Sequence, residues 1–172
     1  MNGNAMNKEP ESMVRIRFQD CDPFGHLNNA KYIDYFINAR EDHLANYYQF
    51  DIYERQKRFQ TNWVIFKHHL VYLSPCYFRE NVTIKTHLLQ YSNTTLLMEG
   101  VMTDAEQKRI KAIIWTEFRY FDLAAGKPAR HDDALMRFWD SIVISTVTPK
   151  LNSGDFDLRV KEIMRRHTEQ TA

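Results

Sequence analysis

The sequence predicts an α+β fold in which an antiparallel β-sheet wraps around one long central α-helix. Three observations support this: a first strand with period-two hydrophobicity over residues 13–19, an apolar helix over residues 30–48, and four later β-like stretches joined by short polar connections. The order is one strand, one helix and then several strands. A parallel sheet would instead need strands and helices to alternate along the chain.

The first predicted strand carries Val14, Ile16 and Phe18 in alternation with polar residues, so these three side chains are predicted to share a buried face. Residues 1–12 are polar and lack the apolar segment of a signal peptide, and we interpret them as a flexible tail. The rest of the chain, 13–172, has the size of one domain and is predicted to end in a helical extension.

The central helix follows a turn over residues 22–25, whose Asp-Pro-Phe-Gly sequence is typical of turns. Asn28 or Asn29 is predicted to cap this helix, which runs over residues 30–48. Apolar side chains cover much of its circumference. The helix is therefore expected to contact protein on most sides.

Four β-like stretches follow the helix, at residues 63–72, 81–91, 95–103 and 109–121. Short polar joints connect the later ones, which predicts antiparallel neighbours. The last stretch is apolar on both faces, with Ile114 and Phe118 on one and Ile113 and Trp115 on the other. One face can cover the central helix, and the other can cover a partner subunit or a segment of the same chain.

Helices are also predicted near the C-terminal end. Asp132 or Asp133 can cap one that ends at Ile142, and Asp155 or Asp157 can cap a second. The segment that joins the central helix to the second strand has a mixed composition, and it is interpreted as a connector.

The composition excludes several classes of protein. With 23 basic and 22 acidic residues the formal charge is +1, which gives no overall field for binding nucleic acid. The two cysteines, Cys21 and Cys76, form neither a disulfide framework nor a zinc-site pattern, so reduced thiols and a cytoplasmic location are expected. No apolar run is long enough to predict a membrane span.

The most informative segment is residues 20–32, Asp-Cys-Asp-Pro-Phe-Gly-His-Leu-Asn-Asn-Ala-Lys-Tyr. It contains a D-x-D-x-x-G turn and an N-x-x-Y helix start, and an Ala-Arg pair follows at 39–40. A second stretch, 69–75, ends in Y-x-x-P. Both resemble the acyl-CoA thioesterase family typified by 4-hydroxybenzoyl-CoA thioesterase, over residues 13–121. The resemblance implies the hotdog fold, in which the sheet wraps the central helix.

The resemblance also implies the roles of three candidate catalytic residues. Asp22 would be the catalytic carboxylate, a backbone amide near Asn29 would bind the oxyanion, and His26 would orient Asp22 or a water. This agrees with the chemistry, because thioester hydrolysis builds negative charge on the carbonyl oxygen and the free N–H groups at a helix start can receive it. Asp22 could attack the thioester or activate water, and the sequence leaves both routes open.

The resemblance further implies a homodimer or homotetramer with an interfacial active site, and no metal or redox cofactor. The His-Leu-Asn-Asn run at 26–29 is similar to the turn of acyl-ACP thioesterases. The substrate is therefore expected to be an acyl thioester of coenzyme A or of acyl carrier protein.

Simpler interpretations exist for the same residues. Asp22 could be a turn aspartate that binds its own backbone. An EF-hand would need ligands where Phe24 and Lys31 stand, so calcium binding is not expected. His68 and His69 would point to opposite faces of a strand, which makes them a poor metal pair.

Other functions remain open on the same fold, namely a hotdog dehydratase or hydratase and a non-catalytic acyl-CoA-binding protein. Five basic residues near strand ends are candidates for contacts with coenzyme A phosphates, and a solvated surface position is the default interpretation of each: Arg79, Lys85, Lys108, Arg109 and Lys111.

Overall fold

In the computed structural model, residues 6–144 and 151–171 are described, and over these ranges the chain forms a curled antiparallel sheet with four α-helices. The strands are β1 (Glu11–Arg15), β2 (Thr61–Tyr72), β3 (Asn81–Tyr91), β4 (Thr95–Asp104), β5 (Ile110–Asp122) and the short β6 (Lys127–Pro128). The helices are α1 (Lys31–Tyr48), α2 (Ile52–Phe59), α3 (Asp133–Ile142) and α4 (Phe156–Thr171). The sheet order is β1-β3-β4-β5-β2, and β6 pairs with β5. The predicted α+β class is confirmed.

The first strand is shorter than the sequence pattern predicts. Its pairing with β3 ends where Arg15 lies opposite Asn81, and a 3-10 turn follows at Phe18–Asp20. Ile16 is buried as predicted, but Phe18 is 77% exposed. The prediction for Phe18 is wrong because the sheet pairing that fixes side-chain alternation ends before this residue.

The chain before β1 also differs from the predicted tail. β1 begins at Glu11, and the Pro10 carbonyl accepts a hydrogen bond from the Thr86 amide at 3.1 Å. Lys8 Nζ donates to the Val143 carbonyl at 2.9 Å. The predicted boundary at residue 12 is therefore too late, and residues 1–5 lie outside the described ranges.

Helix α1 packs closely against the concave face of the sheet. A Cβ placed on Gly100, in β4, would lie 2.6 Å from Phe36 Cδ1 and 2.9 Å from Ile114 Cγ2. Only glycine therefore allows this separation between helix and sheet. The predicted cap is wrong, because α1 begins after Ala30 without a side-chain cap, and the Asn28 carboxamide oxygen accepts from the Ala30 amide instead.

The opposite face of the sheet is covered by α4 of the same chain. Phe156 and Val160 pack there against Ile113 and Trp115 in one apolar cluster. The sequence allowed either a partner subunit or a segment of the same chain to cover this face of β5. In the structure a segment of the same chain, α4, covers it.

Helices α2 and α3 each begin after an aspartate whose side chain caps the helix. Asp132 caps α3 by accepting a hydrogen bond from the Leu135 amide, as predicted. Asp51 caps α2 in the same way, by accepting hydrogen bonds from the amides of Tyr53 and Glu54. The sequence was interpreted as a connector here, so this helix was missed. None of the helices within the described ranges combines the length and apolar character needed to cross a membrane.

Candidate active site

The two sequence stretches that carry the family resemblance meet at the N-terminal end of α1. They form a cleft of about 250 Å³, into which Asp22, His26 and Asn29 are all brought together. The other lining residues are Leu27 and Tyr32 from the first stretch, and Tyr72, Leu73, Ser74 and Pro75 from the second. The structure therefore places all three predicted catalytic residues in one cleft.

The Asp22 carboxylate is held by the turn that follows it. Its Oδ1 accepts hydrogen bonds from the amides of Phe24 at 2.9 Å and His26 at 3.0 Å. Gly25 completes the turn with a φ of 79° and donates its amide to the Asp22 carbonyl at 3.0 Å. Oδ2 has no hydrogen-bond partner in the part of the chain that the structure describes. One oxygen fixes the side chain, and the other is left for a ligand.

The turn is anchored to the segment after β2. The Leu27 amide donates to the Cys76 carbonyl at 2.9 Å, and the Phe78 amide donates to the Gly25 carbonyl at 3.0 Å. The ring of His26 lies edge-on to Tyr77, with 5.1 Å between centroids. His26 therefore orients Asp22 through its backbone amide, whereas its ring lines the cleft.

The backbone amide of Asn29, a cleft residue just before α1, is unbonded within the described part of the chain. The Asn28 carbonyl accepts from the Lys31 amide at 2.8 Å, and the Tyr72 hydroxyl donates to the Asn29 carbonyl at 2.9 Å. The Asn29 N–H has no acceptor among the described residues. A free N–H at a helix start carries partial positive charge, so this amide can receive an oxyanion.

The first acid of the D-x-D turn has a different role from the second. Asp20 Oδ2 accepts a hydrogen bond from the Tyr35 hydroxyl at 2.9 Å, and this hydroxyl accepts in turn from the Arg17 amide. Burial, and to a lesser extent the Asp20 carboxylate, raise the pKa of the Tyr35 hydroxyl. Asp20 thus ties the turn to α1 and leaves Asp22 as the cleft carboxylate.

The neighbouring cysteine is unsuited to act as a nucleophile. Burial and the carboxylates of Asp20 and Asp22 all raise the pKa of the Cys21 thiol, which suppresses the thiolate. Its Sγ contacts the Arg17 carbonyl at 3.3 Å. Cys21 is therefore a packing residue, and it is partly buried against the core cluster around α1.

The histidine pair of β2 is separated as predicted. His68 Nδ1 is hydrogen-bonded to Thr116 Oγ1 at 3.0 Å, and His69 packs against Phe156 of α4 on the other face. Within the described ranges no three His, Cys, Asp or Glu side chains are grouped as metal ligands.

Arg40 of the Ala-Arg pair and Lys111 are both buried. Arg40 pairs with Glu41 at 3.3 Å, and burial lowers the pKa of its guanidinium to about 10. Lys111 is 4% exposed and its Nζ lies 2.9 Å from the Pro75 carbonyl and 2.5 Å from Glu80. Lys111 therefore holds Pro75, which lines the cleft, through a buried hydrogen bond. A buried and paired ammonium group is neither solvated nor available to bind a phosphate.

Two tyrosines that line the cleft, Tyr32 and Tyr72, had no predicted role. The Tyr32 hydroxyl accepts from the Cys76 amide at 3.2 Å, and its ring lies edge-on to Tyr72 at 5.0 Å. Both belong to the matched motifs N-x-x-Y and Y-x-x-P. The motifs identified these tyrosines, but their partners lie more than 40 residues away in the chain.

Comparisons with known proteins agree with this arrangement. A sequence model of the Thioesterase-like superfamily matches residues 16–138. The long-chain acyl-CoA thioesterase FadM of Escherichia coli (strain K12) is 23% identical over 117 residues, covering 68% of this chain and 86% of FadM.

Solved structures are similar over most of the chain. The DHNA-CoA thioesterase of Staphylococcus aureus is 18% identical with a TM-score of 0.70, over 77% of this chain and 87% of that one. The hypothetical protein SAV2348 of Staphylococcus aureus, solved in complex with CoA, is 10% identical with a TM-score of 0.71, over 87% and 94%. At these identities the two structures establish the fold, and the predicted hotdog fold is confirmed.

Proposed function

Because this chain belongs to the Thioesterase-like superfamily, we propose that it hydrolyses the thioester bond of an acyl-CoA in the cleft at the start of α1. The observation that carries the proposal is that Asp22, whose Oδ2 is unbonded, and Asn29, whose N–H has no acceptor among the described residues, line the same cleft. FadM, a relative over most of this chain, is named as a long-chain acyl-CoA thioesterase, which supports the choice of substrate class.

The proposed chemistry needs only protein groups and water. The thioester carbonyl lies between Asp22 and Asn29, so that the N–H of Asn29 stabilises the negative charge that develops on the carbonyl oxygen. Asp22 Oδ2 either removes a proton from the attacking water or attacks the carbonyl carbon itself. In the first route the oxygen of water bonds to the acyl carbon, the C–S bond breaks, and the proton that Asp22 removed from water passes to the leaving thiolate. In the second route the C–S bond breaks as Asp22 forms an acyl anhydride, and water then cleaves this anhydride, which regenerates the carboxylate and supplies the proton of the thiol. The products of both routes are a free acid and a free thiol.

A second copy of this chain is proposed to complete the assembly as a homodimer, alone or within a homotetramer. β2 pairs with β5 on one side and is an edge strand on the other. Val64, Ile65 and Phe66 in this strand are exposed, although an unprotected apolar edge is a liability in a monomer. Pairing of two β2 strands would cover this edge.

The test of the catalytic proposal is the Asp22→Asn variant. Asparagine keeps a side-chain oxygen that can accept from the amides of Phe24 and His26, so the turn is retained while the charge is lost. We expect kcat/KM for free-thiol release from acyl-CoA substrates to fall by at least about 100-fold. Asp34→Asn, which removes an exposed carboxylate from the first turn of α1, should leave the rate unchanged.

Thiol release within threefold of the wild-type rate in Asp22→Asn would contradict the assignment of Asp22. Formation of an enoyl product without thiol would instead identify a dehydratase or hydratase. Tight binding of acyl-CoA without any turnover by the wild-type protein would identify a binding protein.

A further inference from the structure

A basic and aromatic patch lies beside the turn that holds Asp22. It forms a surface pocket of about 340 Å³, lined by Arg15, Ile16, Arg17, Phe18, Gln19, Phe78 and Arg79. The pocket contains three arginines and no acidic residue. Its lining residues come from the last residue of β1, from the segment that follows β1, and from the loop between β2 and β3.

The three arginines of the patch are free to bind an anion. Arg15, Arg17 and Arg79 are exposed, and none has a carboxylate within 4.0 Å in the described part of the chain. Lys85 differs, because its Nζ lies 3.7 Å from Glu11. Arg15 and Arg17 also line an adjoining groove that contains aspartates, but they form no ion pair there. The patch therefore has a local positive charge in a chain that is almost neutral overall.

The patch also presents an exposed aromatic ring. Phe18 is 77% exposed, and its ring is held edge-on against Phe78 with 5.6 Å between centroids. The Arg79 guanidinium lies 5.0 Å from the centre of the Phe78 ring. An exposed ring that a second ring holds in place can stack on the base of a bound nucleotide, so the Phe18 ring is a candidate platform for stacking.

The backbone of Arg79 is held beside the segment that follows β1. Its φ is 68°, in the left-handed region. The Arg79 amide donates a hydrogen bond to the Ile16 carbonyl at 3.2 Å. Because Ile16 lies between Arg15 and Arg17 in the chain, this bond keeps Arg79 close to the other two arginines of the patch.

The patch and the cleft share their supporting loop. Phe18 begins the 3-10 turn that leads to Asp22, and the Phe78 amide binds the Gly25 carbonyl in the turn after Asp22. A ligand could therefore occupy the patch while its reactive end lies in the cleft.

We propose that this patch binds the 3′-phosphorylated adenosine diphosphate end of coenzyme A. The adenine stacks on the Phe18 ring, and the phosphates bind the guanidinium groups of Arg15, Arg17 and Arg79. This rests on the proposed function, in which the substrate is an acyl thioester. It selects coenzyme A as the carrier, because acyl carrier protein presents acidic side chains without a purine to stack.

The test is the equilibrium binding of coenzyme A, 3′-dephospho-coenzyme A and pantetheine, measured by calorimetry. Arg79→Gln and Phe18→Ala should each weaken the binding of coenzyme A by about tenfold, the usual effect of losing one charged contact or one stacked base. Pantetheine should bind the variants and the wild type equally. In the wild type, removal of the 3′-phosphate should also weaken binding.

Arg58→Gln is the matched control, because the Arg58 guanidinium lies 5.0 Å from the Phe59 ring in an equally exposed pair on α2. It should bind coenzyme A like the wild type. The inference is overturned if Arg79→Gln and Phe18→Ala also bind coenzyme A normally, if they weaken pantetheine binding equally, or if Arg79→Gln slows hydrolysis of acyl-ACP but not of acyl-CoA. Binding is measured without turnover, so an incorrect role for Asp22 does not affect this result.

Discussion

The stability of the covered sheet face is predicted to depend on one buried ion pair. Glu99 in β4 is fully buried, and both of its oxygens are hydrogen-bonded to Arg159 of α4, at 2.9 Å and 3.0 Å. His87 Nε2 lies 2.8 Å from Oε1, and the Trp115 indole N–H donates to Oε2 at 2.7 Å. Arg159→Met removes the cation that joins α4 to the sheet and keeps most of the side-chain volume.

The magnitude follows from the ionisation of Glu99. Burial alone would raise the pKa of Glu99, but the hydrogen bonds and charges of His87 and Arg159 outweigh burial and lower the pKa from 4.5 to about 2. At about 1.4 kcal/mol per pKa unit, the partners favour the ionised folded form by about 3 kcal/mol. Removing one partner of a buried pair also leaves a charge without compensation. We expect Arg159→Met to lower the free energy of unfolding by about 3 kcal/mol at pH 7.

Urea denaturation across pH tests this reasoning. Because the folded-state pKa of Glu99 is lowered, its contribution is fully present above the unfolded pKa of about 4.5 and is lost as the pH falls towards 2. The difference between the wild type and Arg159→Met should therefore be largest at pH 7 and should shrink below pH 4.5. Arg165→Met removes an exposed pair with Glu169 and should cost less than about 1 kcal/mol. Equal stability of Arg159→Met and wild type at pH 7, or a difference that is as large at pH 3 as at pH 7, would refute the argument.

Two further predictions concern the core and the sheet edge. Gly100→Ala should lower the free energy of unfolding by about 2 kcal/mol, because the new Cβ would overlap the Phe36 ring. Gly154→Ala, where a new Cβ meets no atom of the described residues within 4 Å, should be neutral in the same denaturation assay. If Gly100→Ala were as stable as the wild type, this account of α1 packing would be contradicted. Ile65→Lys should convert a dimer into a monomer in light scattering after gel filtration. Leu158→Lys, which changes an exposed residue of α4, should leave the dimer intact. If Ile65→Lys remained a dimer, the interface would have to lie elsewhere.

Most of the sheet could be predicted because its strands have strong local signals. β3 was predicted with its observed bounds, and β4 and β5 to within one residue at each end, since apolar runs separated by short polar joints fix the ends of antiparallel strands. The missed helix α2 has only eight residues and buries one of them, Ile52. Such a helix lacks the apolar stripe on which recognition from sequence depends, and Asp51 was its only clear signal.

The candidate site could be predicted only where its residues are close in sequence. Asp22, His26 and Asn29 lie within one turn and helix start, so a single motif contains them all. The Tyr72 hydroxyl reaches the Asn29 carbonyl from 43 residues away, and the Glu99 network joins β3, β4, β5 and α4. A sequence motif does not show which residues far apart in the chain come into contact. The pairing of strands and the packing of α4 determine these contacts.

The two interpretations of Asp22 that the sequence left open are compatible with each other. A turn aspartate uses one carboxylate oxygen to accept backbone amides, and Oδ1 does this with the amides of Phe24 and His26. A catalytic carboxylate needs a second oxygen that is not already bonded, and Oδ2 meets this requirement. The turn fixes the position of the side chain, which lowers the entropy lost when a substrate is bound. If Asp22 served the turn alone, Asp22→Asn would preserve both stability and turnover, whereas a catalytic carboxylate requires stability to persist while turnover is lost.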